Sequence, residues 1–94
     1  MSLDVVVLGV FVADTAYRAD RQPRMGETIM GQSFALGPGG KGSNQAVAAG
    51  MAGTSVGIIT KLGRDPFADM ALATWNKAGV TSLATQHGES YTGA

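Results

Sequence analysis

The chain has 94 residues, seven basic against seven acidic side chains, 14 glycines, one histidine and no cysteine. Zero net charge leaves no electrostatic footprint for nucleic acid or an anionic membrane. Without cysteine there is no disulfide frame, zinc knuckle or thiol nucleophile, and the 45% apolar, 15% charged composition is globular rather than disordered.

The opening, Met1 to Val7, is too short and wrongly charged for a signal peptide, and no apolar run approaches membrane-spanning length. A cytoplasmic location is the default expectation. Val5 to Leu8 is a continuous apolar run ending at Gly9, the pattern of a strand covered on both faces in a parallel sheet. Val10, Phe11 and Val12 extend it. Asp14 then stands just past the strand's carboxyl end, the edge where open α/β sheets bind ligands.

Partial alternation on either side of Pro23 and Gly26 predicts two antiparallel strands, about Thr15–Asp20 and Glu27–Leu36. They form a hairpin excursion, about residues 15–36, outside the main sheet. Gly37-Pro38-Gly39-Gly40-Lys41-Gly42 reads as a loop. Ser43 or Asn44 caps a helix of small residues from Gln45 to Ala52, and Gly53 stops it.

Ser55 to Leu62 is β-branched and apolar, a second core strand ending at Gly63. Asp65 caps the next helix, with Pro66 at its first position. Phe67, Met70, Ala71, Thr74, Trp75 and Ala78 form its apolar stripe, and Lys77 and Gly79 suit its end. Val80 to Gln86 predicts a further strand. The sum is α/β: two βα units with an inserted hairpin, on a parallel sheet of two or three strands. Much apolar surface stays open, as expected of the first part of a larger domain.

Charge points to one place. Between Thr28 and Thr60 the only charged residue is Lys41, flanked by glycine on both sides. Glycine is about twice as frequent as in an average globular chain, and the excess concentrates around this lysine. A phosphate-binding P-loop needs Gly, four residues, then Gly-Lys-Ser/Thr. Here residue 35 is Ala and Lys41 is followed by Gly42, so that pattern fails at both ends. Gly37, Gly39 and Gly42 satisfy the dinucleotide spacing G-x-G-x-x-G, but they follow a half-polar strand rather than the first buried one. A third reading places bare amides at a helix N-terminus, with Lys41 and Asn44 facing a polyhydroxylated ligand and Asp14 accepting hydroxyl hydrogen bonds. The plain alternative is a tight turn with Ser43 and Asn44 as caps only.

Several separated motifs, in order, resemble the ribokinase-like (PfkB-type) carbohydrate kinases. They are Val7-Leu8-Gly9 with Ala13-Asp14, then Gly26-Glu27-Thr28, then Gly39 through Ala49 with Gly53. Leu62-Gly63-Arg64-Asp65 completes them. The resemblance runs along essentially the whole chain and covers about the first third of such an enzyme. It implies the N-terminal part of a doubly wound parallel-sheet domain, with the hairpin belonging to a β-sheet lid that also forms a homodimer contact. An exposed sheet surface is the other candidate for that contact.

The resemblance also implies that Asp14, Gly39, Gly40, Lys41 and Asn44 line a sugar pocket. The implied reaction moves the γ-phosphoryl group of ATP, assisted by Mg²⁺, to a primary hydroxyl of a pentose or similar sugar. The family's catalytic Asp and nucleotide site lie in the last third, which nothing here matches. This chain alone is therefore expected to bind neither ATP nor Mg²⁺ and to be catalytically silent. Val12 stands where ribokinases carry Asn, so D-ribose is not assigned. Gly50-Met51 replaces a common Arg-Leu pair. Asp65 and Asp69 have ordinary helix-start roles, and His87 reads as solvated. The alternatives of another class are a small self-associating binding module and a dinucleotide-binding oxidoreductase fragment.

Overall fold

A computed structural model describes residues 2–94. Three parallel strands form the main sheet, in the order β1 (Val5–Leu8), β4 (Val56–Ile59), β6 (Val80–Ser82). Between β1 and β4 the chain runs through an antiparallel hairpin, β2 (Val12–Arg18) and β3 (Ser33–Gly39), and then helix α1 (Lys41–Met51). After β4 come β5 (Lys61–Gly63), helix α2 (Pro66–Ala78), β6 and β7 (Thr85–His87). The expected parallel sheet with an excursion outside it is what forms.

The core lies between the helices and one sheet face. Val56 and Ile58 point into it, with Val80, Ala46, Ala68, Ala71 and Trp75, all buried. Strand alternation sends Val6, Leu8 and Ile59 to the other face. There they are exposed, Leu8 at 82%. The expectation that Val5–Leu8 is covered on both faces therefore fails among the described residues. The radius of gyration, 15.7 Å, exceeds the roughly 12 Å of a compact unit this long, because the hairpin stands off the body.

Helix ends follow local chemistry. Asp65 accepts a hydrogen bond from Ala68 N–H at 2.8 Å, Pro66 opens α2, and Gly79 closes it at φ 77°. α1 ends in a Schellman motif: Gly53, at φ 93°, donates to Gly50 O, and Thr54 donates to Ala49 O. The stripe expected on α2 faces the core, joined by Ala68, which periodicity did not select.

Three expectations are corrected. The hairpin strands are not Thr15–Asp20 and Glu27–Leu36. Pairing runs Val12–Arg18 with Ser33–Gly39, leaving residues 19–32 as the connection. Arg21 and Glu27 tie that connection with two hydrogen bonds, and Arg24 N–H adds a third to Glu27. Second, β1 stops at Leu8, because Val12 already belongs to β2. Third, Ser55–Leu62 and Val80–Gln86 each divide in two. β5 pairs with β7 in the same register offset that joins β4 to β6, so these are one bent ribbon. It narrows where β1 ends, and Thr85 N–H to Thr60 O bridges the break.

Two backbone donors, Thr92 N–H first and Ala68 N–H second, hold the Asp65 carboxyl below its ordinary range. A depressed folded-state value means that the stabilisation is complete above the ordinary carboxylate pKa and is lost as pH falls through the folded value. Thermal unfolding between pH 7 and pH 2.5 should show this loss, and Asp65→Asn should flatten the curve. An unchanged curve in that variant would assign the acid sensitivity elsewhere, Glu27 first, whose carboxyl is also held low by Arg21.

Candidate functional site

Glycine contacts bring β1, the hairpin base and the start of α1 to one corner. Gly9, just past β1, packs on Gly42 in the first turn of α1. A Cβ on Gly42 would lie 2.7 Å from Gly9 Cα. Gly40 joins β3 to α1 at φ 94°, and a Cβ there would run into Val10 O. Only glycine takes that conformation and that approach without strain. Gly39 is buried, pairs with Val12 and lies against Asp14, whose Cβ is 3.0 Å from the place a Gly39 Cβ would take.

The first turn of α1 divides by face. Ser43 is buried, and its Oγ accepts a hydrogen bond from Trp75 Nε1 at 2.9 Å. Trp75 in turn meets Phe11 edge-on, with ring centroids 6.0 Å apart. Lys41 and Asn44, three residues apart, share the opposite, exposed face. Ser43 N–H goes to Val10 O and Asn44 N–H to Gly40 O. No side chain caps the amides of Lys41 and Gly42, which carry the positive end of the helix dipole.

The five expected residues therefore meet as follows. Gly39, Gly40 and Lys41 are consecutive at the strand–helix junction, Asn44 follows one turn on, and Asp14 touches Gly39 from β2. The structure places no direct hydrogen bond between Asp14 and the two helix residues. Among the described residues the side chains of Asp14, Lys41 and Asn44 make no hydrogen bond or ion pair at all. A carboxylate, an ammonium and an amide left uncommitted around bare backbone can each take a hydroxyl. The corner is open. A hollow of about 550 Å³ lies instead under the hairpin connection, lined by Tyr17, Arg21 and Ile29 among others.

Several site expectations change. Gly37 to Gly42 is not a loop: Gly37 and Gly39 are β3 residues, and α1 begins at Lys41 rather than Gln45. Gly39 is crowded there, by Asp14 Cβ and Val12 O, while Gly37 has open space beside it. Asp14 is the third residue of β2, not the residue after β1. Neither Ser43 nor Asn44 caps α1; Gly40 holds that position. The dinucleotide spacing falls in an antiparallel strand rather than in the turn after the first parallel one, which does not fit that fingerprint. Sequence reasoning missed Gly9 as a packing partner and the Ser43–Trp75 bond. A glycine ending the first apolar run was the available signal for Gly9, and nothing local announces the Ser43–Trp75 bond.

The profile of the pfkB family carbohydrate kinases matches residues 2–93. The chain belongs to that family. Ribokinase of Bacillus subtilis (strain 168) is 39% identical over 77 residues, which are 82% of this chain and 26% of that protein. Deoxyribokinase of Salmonella typhi is 36% identical over 80 residues, 85% of this chain and 26% of that protein. The crystal structure of ribokinase from Cryptococcus neoformans in complex with ADP superposes with a TM-score of 0.85 at 27% identity. It covers 97% of this chain and 29% of that one. The pfkB chain described here thus spans about a quarter of the length of the curated relatives it matches, and its α/β architecture is that of the ribokinase-like fold.

Proposed function

We propose that this chain is the sugar-binding part of an ATP-dependent carbohydrate kinase that phosphorylates a primary hydroxyl of a pentose or similar sugar. The observation that carries the reading is the glycine-built corner, where Asp14, Lys41 and Asn44 stand uncommitted around the bare first amides of α1. Asp14 accepts two sugar hydroxyls, an ionised acceptor making the stronger kind of hydrogen bond. Lys41 and Asn44 donate from the helix side, while Gly39 and Gly40 let backbone close on the ring. Val12, on the same hairpin face as Asp14, presents an apolar wall there.

ATP and Mg²⁺ belong to the whole enzyme. The described residues offer no group of three His, Cys, Asp or Glu side chains for a metal ion, and the P-loop pattern is broken. This chain's part is to hold and orient the acceptor sugar. The hairpin acts as part of a lid. Its Tyr17, Phe34 and Leu36 make an exposed apolar face, with the two rings 5.2 Å apart, that we assign to a homodimer contact. No helix of the described residues is long and apolar enough to cross a membrane.

Calorimetric titration of the chain with a panel of pentoses and hexoses tests the reading. One sugar should bind, and Asp14→Ala should weaken it by at least about tenfold, the worth of one charged hydrogen bond. Stability should stay within about 0.5 kcal/mol, as for an exposed substitution. Binding by no sugar, or equal binding by the variant, would sink the assignment, and turnover of ATP by the chain would sink the division of labour. Light scattering on the same sample should read a dimer, and a monomer at every concentration would remove the lid contact.

A further inference from the structure

Asp65 does more than start α2. Oδ1 takes Ala68 N–H, and Oδ2 accepts Thr92 N–H at 2.8 Å. Thr92 is buried, and its Oγ1 accepts Gly63 N–H at 3.0 Å. One residue on, Gly93 O accepts Ala13 N–H at 2.8 Å. Ala13 is itself buried and stands opposite Pro38, which has no N–H to offer. The base of β2 is thus held by β3 along one edge and by Thr92–Gly93 along the other. Gly63 makes the crossing possible: a Cβ there would meet Ser90 O and lie 2.9 Å from both Asp65 Oδ2 and Thr92 N.

We propose that Asp65 is a positioning residue for Asp14. Its carboxylate clamps Thr92, the clamped segment holds the Ala13 amide through Gly93, and that amide sets the direction of the next side chain, Asp14. The use of Asp14 for a sugar rests on the function proposed above; the clamp is a property of this chain alone. Asp65, Thr92 and Gly63 lie on the far side of β2 from the glycine junction. They touch no expected ligand, so they act through strand order rather than contact.

Two kinds of variant separate the clamp from the helix cap. Asp65→Ser keeps one oxygen, enough to cap Ala68 N–H, but cannot serve Thr92 as well. Thr92→Val removes the hydroxyl that Gly63 N–H reaches, and Thr92→Ser keeps it. Amide hydrogen exchange by NMR on the whole chain should show Ala13 exchanging roughly tenfold faster in Asp65→Ser and Thr92→Val, as for the loss of one ordinary hydrogen bond. Thr92→Ser should restore it, while α2 amides and Ile58 in β4 change much less than Ala13. Sugar affinity should fall in the same two variants and recover in Thr92→Ser.

An unchanged Ala13 amide overturns the proposal. So does faster exchange at every amide together, which is general destabilisation. Faster Ala13 exchange with sugar affinity retained overturns the positioning role. If the unaltered chain binds no sugar, the function reading falls and the exchange result decides the clamp: a faster, localised Ala13 amide supports it.

Discussion

Trp75→Ala destabilises the chain by about 3–5 kcal/mol, as expected when a fully buried large aromatic leaves a cavity. That is a large share of the roughly 5–15 kcal/mol available to a small domain. Two losses add to the cavity. Phe11 loses its edge-on partner, and Ser43 loses the donor that fixes the first turn of α1. Trp75→Phe keeps much of the volume but leaves Ser43 Oγ buried without that donor, and so costs less, about 1–3 kcal/mol. Urea unfolding of both variants reads the difference. No loss in the phenylalanine variant would mean that the indole N–H contributes nothing, and a loss below 1 kcal/mol in the alanine variant would mean that the core closes over the gap.

The second large effect is at Gly40. Gly40→Ala has to hold φ near 94°, which costs an L-residue about 1–2 kcal/mol, and it also drives a Cβ into Val10 O. The backbone must move, and what moves is the junction carrying Lys41. Gly53 is the built-in control. It has nearly the same φ, 93°, and nothing within 4 Å of the Cβ position. Gly53→Ala should therefore show the conformational cost alone and keep sugar binding, while Gly40→Ala should lose more stability and lose binding. Denaturant midpoints and titration calorimetry compare the two. Equal stability and equal binding would dismiss the close approach at Val10 as a constraint.

What could be read from residues alone was what short-range chemistry determines. Asp65, Pro66 and Gly79 bound α2 because capping, a preset φ and a left-handed stop act within a few residues. Gly53 marked the end of α1 for the same reason. The five residues proposed for the pocket came from a glycine cluster around one isolated lysine, an earlier carboxylate and the family resemblance, and the structure sets Asp14 beside Gly39. Strand ends were not legible, because glycine signals a loop and a crowded strand alike. Gly37 and Gly39 are strand residues only because Asp14 and Val12 come back opposite them. Pro38 is tolerated because β3 has one partner and an edge can spare a donor. Ser43 looked like a cap, since its partner Trp75 lies 32 residues away and no local pattern joins them. The second oxygen of Asp65 was hidden in the same way by the distance to Thr92.

The order of the strands also sets the order in which this chain can fold. The hairpin joins near neighbours in sequence, and closing such a loop is fast. β1 must instead find β4 across more than fifty residues, with the hairpin and α1 threaded between them. Distant parallel pairing pays its loop entropy before any contact rewards it. A formed α1 seated on the end of β1 through Gly9 and Gly42 would present a surface on which Val56 and Ile58 can land. We expect the Gly9–Gly42 pair to be where the slow step begins.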